Sequence, residues 1–579
     1  MAPSVESNNG WGEPEQMMMG QRRRRELRVG IIGAGVSGLA TCKHFLEQGL
    51  NVTVFEAKSG LGGVWRSTYA STKLQTPKQG YQFSDFPWPD DVPQFPLHLQ
   101  VVDYLESYAN RYGILERIHF NSKVLSLARI SRTKFERVES DGGKERGVAR
   151  LKTIEEDEEI KSNSCASHGS IGRRSVDRAE DYVWEVYVRR KISTSNEFDH
   201  CMDEWYEFDY MVMCCGRFGD VPRVPSFPPL EGPEIFEGRV LHVVDYCSLD
   251  GSKVRDLVAG KKVVVVGFQK TSLDIAVEVA EANQGIDGPP CTMVFRRTHW
   301  MYPRHRQAFG YIPFGFFWST RLADFWTAKP DQGLLQRALQ SIFSPLRRVV
   351  WRMIEYYLRL TLPLSRFGLV PEHSLFEDLS ACVLPQVPVT LFEHLEAGRI
   401  LTRKTPYMSF YSRGIRLADG TDVEADSVIL CTGYDGDAKL KSILPKEYRD
   451  VLLEPGNVLT LYRGIIHPHI PNMGFIGYSE GLSSVHSSEI GAQWLAQLLQ
   501  KKFTLPPAAD METERSKWLQ HARSMTPFFN RPCLAPWQIW HTDKLCRDMD
   551  RNQFRKRSWW QEMFSLYSNN DYNFSNSLV

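Results

Sequence analysis

At 579 residues and 66.5 kDa the chain exceeds one ordinary hydrophobic core, and its length predicts about two to four folding units. With 42% hydrophobic and 24% charged residues it has the balance of a globular protein able to bury sizeable cores, which excludes wholesale disorder. Its 70 basic and 69 acidic side chains leave a net charge of +1, so no global field draws it to nucleic acid or to an anionic membrane, and specific sites must carry the function.

Before Leu27 there is no apolar stretch of secretory-signal length, and no later window approaches about 18 uninterrupted apolar residues. A soluble cytoplasmic protein is expected, with residues 1–26, including the basic run Arg22 to Arg25, as a disordered, solvated tail. The 11 cysteines contain no C-x-x-C pair, and Cys214 and Cys215 sit inside an apolar run, so reduced thiols are expected. From Leu27 the pattern becomes an apolar strand ending in glycines, a helix over "VSGLATCKHFLEQG" and a second strand, "NVTVFEAK". Strands at Asn121 to Arg129 and Tyr182 to Arg190 flank a polar excursion, about 131–181, predicted to be mobile and without a core. "YEFDYMVMCCG" reads as a buried strand ending in Gly216, and "PRVPSFPPLEGP" as an irregular linker.

A second strand, turn and helix frame follows in "VVVVGFQKTSLDIA", Val263 to Ala276, and leads on to "CTMVFRRTHW". An aromatic-rich helical insert spans about 311–369. Within it Arg348, Arg352 and Arg359 align on one helical face and Val350, Ile354 and Tyr357 on the opposite one. Packing against its own domain is the favoured role of this amphipathic helix, with peripheral membrane contact as the other reading. "VEADSVILCTGYD" is another buried strand ending in Gly433, and the chain closes in a polar tail, 551–579. No tandem repeat appears beyond the twice-used frame.

The chemistry concentrates in the two turns. In "GAGVSG" Gly33 permits the tight turn, Gly35 lets a pyrophosphate approach, and Gly38 lets helix and strand pack closely. Together with Ala34, Val36 and Ser37 they present the helix-start amides to phosphate, while Glu56 ends the next strand, where a carboxylate binds ribose hydroxyls. The second turn, Gly267, Phe268, Gln269, Lys270, Thr271 and Ser272, departs from this form. Gln269 and Ser272 stand where the second and third glycines would be, and Gln269 adds a side chain where phosphates should approach. After the next strand, Arg296 and Arg297 occupy the place where an NADP-specific fold carries a guanidinium, surface pairing being the plainer alternative.

The stretch "FEAKSGLGGVWRSTYASTKLQTPKQGYQFSDFPWP" resembles the flavin-containing monooxygenases. The resemblance extends to "FEGRVLHVVDY", which matches the signature FxGxxxHxxxY through Phe236, Gly238, His242 and Tyr246. It places Glu56, Gly62, Gly63, Trp65 and Arg66 at an FAD site and NADPH at the second turn. It also implies that the signature is interdomain architecture. The implied fold is α/β, with two Rossmann-like dinucleotide-binding domains. The FAD domain comprises 27–220 and 426–550, with the NADPH domain, 221–425, inserted between them.

The implied activity is oxygenation of a soft nitrogen or sulfur nucleophile in a small molecule, by NADPH and O2 through a flavin hydroperoxide. "GYQFSDFPWP", "LYRGIIHPHIPNMGFIGY" and "HTDKLCRDM" are similar to the plant branch that contains pipecolate N-hydroxylases, so N-hydroxylation of a small amine or cyclic amino acid is the favoured reaction. Gln75 stands where many members have an active-site asparagine and is the candidate polar contact near the flavin. No metal site is expected, and the oligomeric state stays open. Two rivals remain. Tyr246 argues against a Baeyer-Villiger monooxygenase, whose related signature closes with tryptophan, and Gln269 is the one clue for a flavin-binding regulatory protein without turnover.

Overall fold

The computed structural model describes residues 26–131, 182–192, 200–285, 288–303, 307–309, 311–454 and 458–573. The predicted N-terminal tail up to residue 25 and the polar excursion from 132 to 181 lie outside the described residues. Two five-stranded parallel sheets organise the chain. In the first the order is Met473–Phe475, Tyr210–Met213, Arg28–Ile32, Asn51–Phe55, Ile118–His119. Arg28 to Ile32 lie in register with Asn51 to Phe55, and the helix Val36–Glu47 makes the crossover that a parallel pair requires. Its Leu39, Ala40 and Phe45 are buried, and it packs against the helix Ser484–Leu499. Helical cover on a parallel sheet is why Tyr210–Met213 is apolar at every position and fully buried.

The second sheet has the order Ile400–Lys404, Cys291–Phe295, Val263–Val266, Ser427–Leu430, Arg239–His242. This corrects the boundary expected at 426. Ser427–Leu430 does not begin the return to the first unit but completes the second sheet, paired with Val263–Val266 on one side and Arg239–His242 on the other. A buried parallel strand carries no label of its sheet, and only pairing decides. The return comes later, through Met473–Phe475 beside Tyr210–Met213. The "YEFDYMVM" strand is likewise divided. His200–Phe208 joins an antiparallel sheet with Tyr182–Ile192 and Ser122–Ser131, and Tyr210–Met213 joins the first parallel sheet. Asp209 marks the break, accepting hydrogen bonds from the Arg28 backbone at 2.9 Å and its Nε at 3.3 Å.

Two further expectations change. Cys382 and Cys533 are joined by a disulfide across a separation of 151 residues, so these two thiols are not reduced. The bond ties the second unit to the C-terminal segment, and distance in sequence hid the pair. The C-terminal stretch up to residue 573 is also no loose tail. Glu562, Asn569 and Tyr572 are buried, Arg321 meets both Asp543 and Glu562, and Asn569 donates to the Gln82 carbonyl at 2.5 Å. Its polar composition serves buried hydrogen bonds rather than solvent.

Candidate functional site: two equivalent turns and their junction

Each fingerprint turn lies at the carboxyl end of the central strand of its parallel sheet, where open α/β sheets bind ligands. The two turns are built alike. The Gly33 amide donates to Phe55 O at 2.8 Å and the Gly267 amide to Val294 O at 2.9 Å. Gly33 has φ 105° and Gly267 φ 137°, and a Cβ there would stand 2.6 Å from Cys214 O or 2.7 Å from Cys431 O. Both positions therefore require glycine. The helices then start from Gly35 and Gln269, whose backbones are both extended, with ψ −171° and 176°. Neither residue caps its helix with a side chain, so both leave the first amides to an incoming anion.

Gln269 thus needs no glycine backbone, and its carboxamide does not occupy the cap. The third position differs between the turns. A Cβ on Gly38 would overlap the Gly33 carbonyl oxygen, whereas fully buried Ser272 places its Oγ 2.5 Å from the Cβ that Gly267 lacks. Ser272 Oγ and the Cys431 carbonyl thus both close the space beside Gly267 to a side chain. Phe268 fills the second turn's interior, 4.6 Å from the Phe295 ring. Lys270, at the helix start, pairs with Asp274 at 2.5 Å, and Thr271 is half-buried beside it.

Around the first turn, the buried Glu56 carboxylate accepts the amides of Ala34 at 2.8 Å and Lys58 at 2.9 Å, which holds it at the strand end beside the turn. Gly62 and Gly63 have φ 115° and 57°, Gly62 donates to Ala34 O at 3.0 Å, and a Cβ on Gly63 would stand 3.2 Å from Gly35 Cα. Two stretches of bare backbone face one another, a cradle that side chains would fill. A buried carboxylate beside an uncapped helix start fits the ribose and pyrophosphate of FAD. Val36 is half-buried, and Ser37 Oγ lies 2.9 Å from Ser488 Oγ. Trp65 donates to Tyr81 OH at 2.7 Å. Arg66 is exposed and turns back to Leu61 O at 2.7 Å and to Glu106. Arg296 and Arg297 are both exposed directly after Phe295, with the Arg297 guanidinium 5.6 Å from the Phe528 ring.

The two units meet beside these turns. The signature strand Arg239–His242 is the edge of the second sheet, and His242 Nδ1 accepts the Val244 amide at 3.2 Å as a helix cap. Tyr246 donates to Glu278 at 2.8 Å. The other Glu278 oxygen takes the Ser71 amide at 3.1 Å, and Asp274, on the same helix, takes the Tyr69 hydroxyl at 2.7 Å. Burial raises both carboxyls above their usual range, and it lifts the Tyr69 hydroxyl far above 10. Gln75 belongs to the same seam, since its Oε1 accepts the Gln386 amide at 3.2 Å and its carbonyl accepts Tyr302 OH at 3.2 Å. Tyr69, Ser71, Asp274 and Glu278 carry no motif, and only their meeting across the units marks them.

A second unforeseen group is His299, His373 and Asp378, whose ligating atoms lie within 4.8 Å of one another. One oxygen of the fully buried Asp378 faces both imidazoles, at 2.8 and 2.7 Å, and the other takes the Trp300 amide at 2.7 Å. Every Asp378 oxygen is thereby engaged within the protein. A polar surface cleft of about 590 Å³, lined by Arg239, Lys262, Arg413 and Glu424, lies at the opposite, amino-terminal end of the second sheet, away from both turns.

Comparison with known proteins agrees with this architecture. The chain is 42% identical over 548 residues to a probable flavin-containing monooxygenase 1 of Arabidopsis thaliana, covering 94% of this chain and 96% of the relative. It is 40% identical to a putative flavin-containing monooxygenase 2 of the same plant, covering 90% and 97%. In fold it resembles the polycyclic ketone monooxygenase of Thermothelomyces thermophila, with a TM-score of 0.61 at 12% identity, covering 94% and 90% of the two chains. Residues 26–146 and 176–533 match the family described as flavin-binding monooxygenase-like. With its paired Rossmann-like units, the chain belongs to that family and is an oxidoreductase dependent on FAD and NADPH.

Proposed function

We propose that the first turn, with Glu56, Gly62 and Gly63, holds FAD, that the second, with Arg296 and Arg297, holds NADPH, and that the enzyme oxygenates a soft nitrogen or sulfur nucleophile. N-hydroxylation of a small amine or cyclic amino acid such as pipecolate is the favoured reaction. The observation that carries the reading is the repeated turn, two uncapped helix starts behind two glycines held by the same hydrogen bonds. When bound, FAD supplies the oxygen activation and NADPH the two electrons.

The protein's part is placement. Helix-start amides and Glu56 orient the first nucleotide, and the exposed arginines meet the 2′-phosphate of the second. The Tyr246–Glu278–Ser71 and Tyr69–Asp274 contacts hold the two units at a set distance. Gln75 acts through the Gln386 backbone to shape the same seam. The inserted unit runs from about 221 to the end of Ser427–Leu430, and the long helix of its insert makes peripheral contact with a membrane.

The test is purification with intrinsic flavin, followed by NADPH oxidation with and without cyclic amino acids, amines, sulfides and ketones. Bleaching of the flavin by NADPH and a product one oxygen heavier on nitrogen or sulfur are expected. An ester from a ketone would establish the Baeyer-Villiger reading, and bound flavin that NADPH fails to bleach would establish the regulatory one.

A further inference from the structure

The helix Leu334–Thr361 has two apolar sides. Ile354 and Leu358 enter the core of the second unit, with Val350, Trp351 and Tyr357 packed at its edge. The other side faces outward. Leu335, Ile342, Leu346, Val349, Met353 and Leu360 are separated by steps of seven, four, three, four and seven residues, which keeps them on one stripe roughly 38 Å long. They are 46% to 76% exposed, where a solvent-facing helix side carries polar residues. Arg348, Arg352 and Arg359 stand exposed on the flank of the helix that faces neither the stripe nor the core. The helix holds five arginines and one acid, and that acid, Glu355, is turned to the Leu375 amide at 2.8 Å.

These features select among occupants. Among the described residues no helix is long and apolar enough to cross a membrane, so the stripe lies on a surface rather than through one. Two copies of this helix would set arginine against arginine with no exposed acid to answer, which disfavours self-pairing. The short helix Trp559–Phe564 packs on Arg321–Trp326, which packs on the long helix, and it exposes Trp559 and Trp560, rings that favour a water–lipid boundary. We infer that this face docks on an anionic lipid bilayer, apolar stripe inward and arginines among the phosphates. The inference rests on the reading of the insert as a membrane contact and adds the surface chemistry and the residues.

The experiment is co-sedimentation of the full-length flavoprotein with vesicles of phosphatidylcholine alone or with about one third phosphatidylserine, at low and high salt. Binding to the anionic vesicles should be about tenfold or more stronger and should weaken with salt. The pair Ile342→Glu and Met353→Glu should abolish it, with flavin content and melting temperature unchanged. Arg348→Gln with Arg352→Gln should remove the preference for anionic lipid. Equal binding to both vesicles overturns the anionic assignment alone, whereas no binding to either overturns the membrane reading as well. Undiminished binding by the glutamate pair overturns the assignment to this face. So does a change of oligomeric state in that pair, which would give the face to a second copy.

Discussion

Gly35 and Gln269 occupy the same point of two equivalent turns, both with extended backbone, and the difference between them is a side chain rather than a conformation. Gln269→Gly should therefore leave flavin content unchanged and shift NADPH dissociation by less than about tenfold, the scale of one modest contact near 1.4 kcal/mol. Titration of the flavoprotein with NADP checks it, and a gain of several orders of magnitude would mark Gln269 as an obstruction. The glycines of the first turn divide by what a Cβ would meet. At Gly38 it overlaps the Gly33 carbonyl, so Gly38→Ala should cost about 1–3 kcal/mol of stability in denaturant unfolding. At Gly35 the nearest atom is Gly63 Cα at 3.5 Å, so Gly35→Val should fold yet be isolated without flavin, read from the visible absorbance. Replacing Arg296 and Arg297 with alanine should raise KM for NADPH by about tenfold and leave KM for NADH nearly unchanged, because only NADPH carries the added phosphate.

Between residue and molecule, the segment bearing Phe528, Arg531 and Cys533 straps the C-terminal part of the chain to the second unit. Arg531 donates to Cys382 O at 2.7 Å and pairs with Glu480 at 3.0 Å, while the Leu534 amide donates to Glu480 O at 2.6 Å. The Phe528 ring meets His299 at 5.6 Å and His373 at 4.5 Å. The Cys382–Cys533 bond closes this strap over a long loop, so its loss should lower stability by about 2–5 kcal/mol. Cys533→Ser should melt lower than the parent. A dithiol should bring the parent down to the variant's temperature and leave the variant unmoved, because Cys382 is half-exposed and open to reductant. Equal melting of both proteins without reductant would remove the bond from the stability account.

At the scale of the whole molecule, three buried histidines lose their contribution to stability in acid. Burial pushes His467, His486 and His541 down to about 4 from the ordinary 6.5. His486 lies 3.1 Å from Thr542 Oγ1, and His541 Nε2 donates to Arg463 O at 3.0 Å. The unfolded chain takes up these protons near pH 6.5 and the folded chain only near 4, so protonation favours unfolding. Stability contributed by these groups is full above pH 6.5 and falls between about 6.5 and 4, by about 2 kcal/mol per histidine at pH 5. The melting temperature should drop from pH 7 to pH 5, and His486→Gln should drop less over that interval. A parallel decline in the two proteins would exclude His486 as a source.

The glycines, the apolar strands around them, Glu56 and the signature from Phe236 to Tyr246 were legible in the sequence, because a tight turn between a buried strand and a helix admits few residue types at few spacings. That legibility extended to the α/β class, the two frames and the family. It did not extend to which sheet Ser427–Leu430 joins, since any buried parallel strand offers the same apolar side chains and the same backbone groups. Nor did it reach Asp274 and Glu278, ordinary helix residues until Tyr69 and Ser71 arrive from some 200 positions away, or the Cys382–Cys533 pair. The polar C-terminal stretch read as a tail because its partners, Gln82 and Arg321, lie far upstream. Local spacing determines turns, periods and motifs, whereas pairing between distant segments is decided only when the chain closes and buried polar groups must find partners.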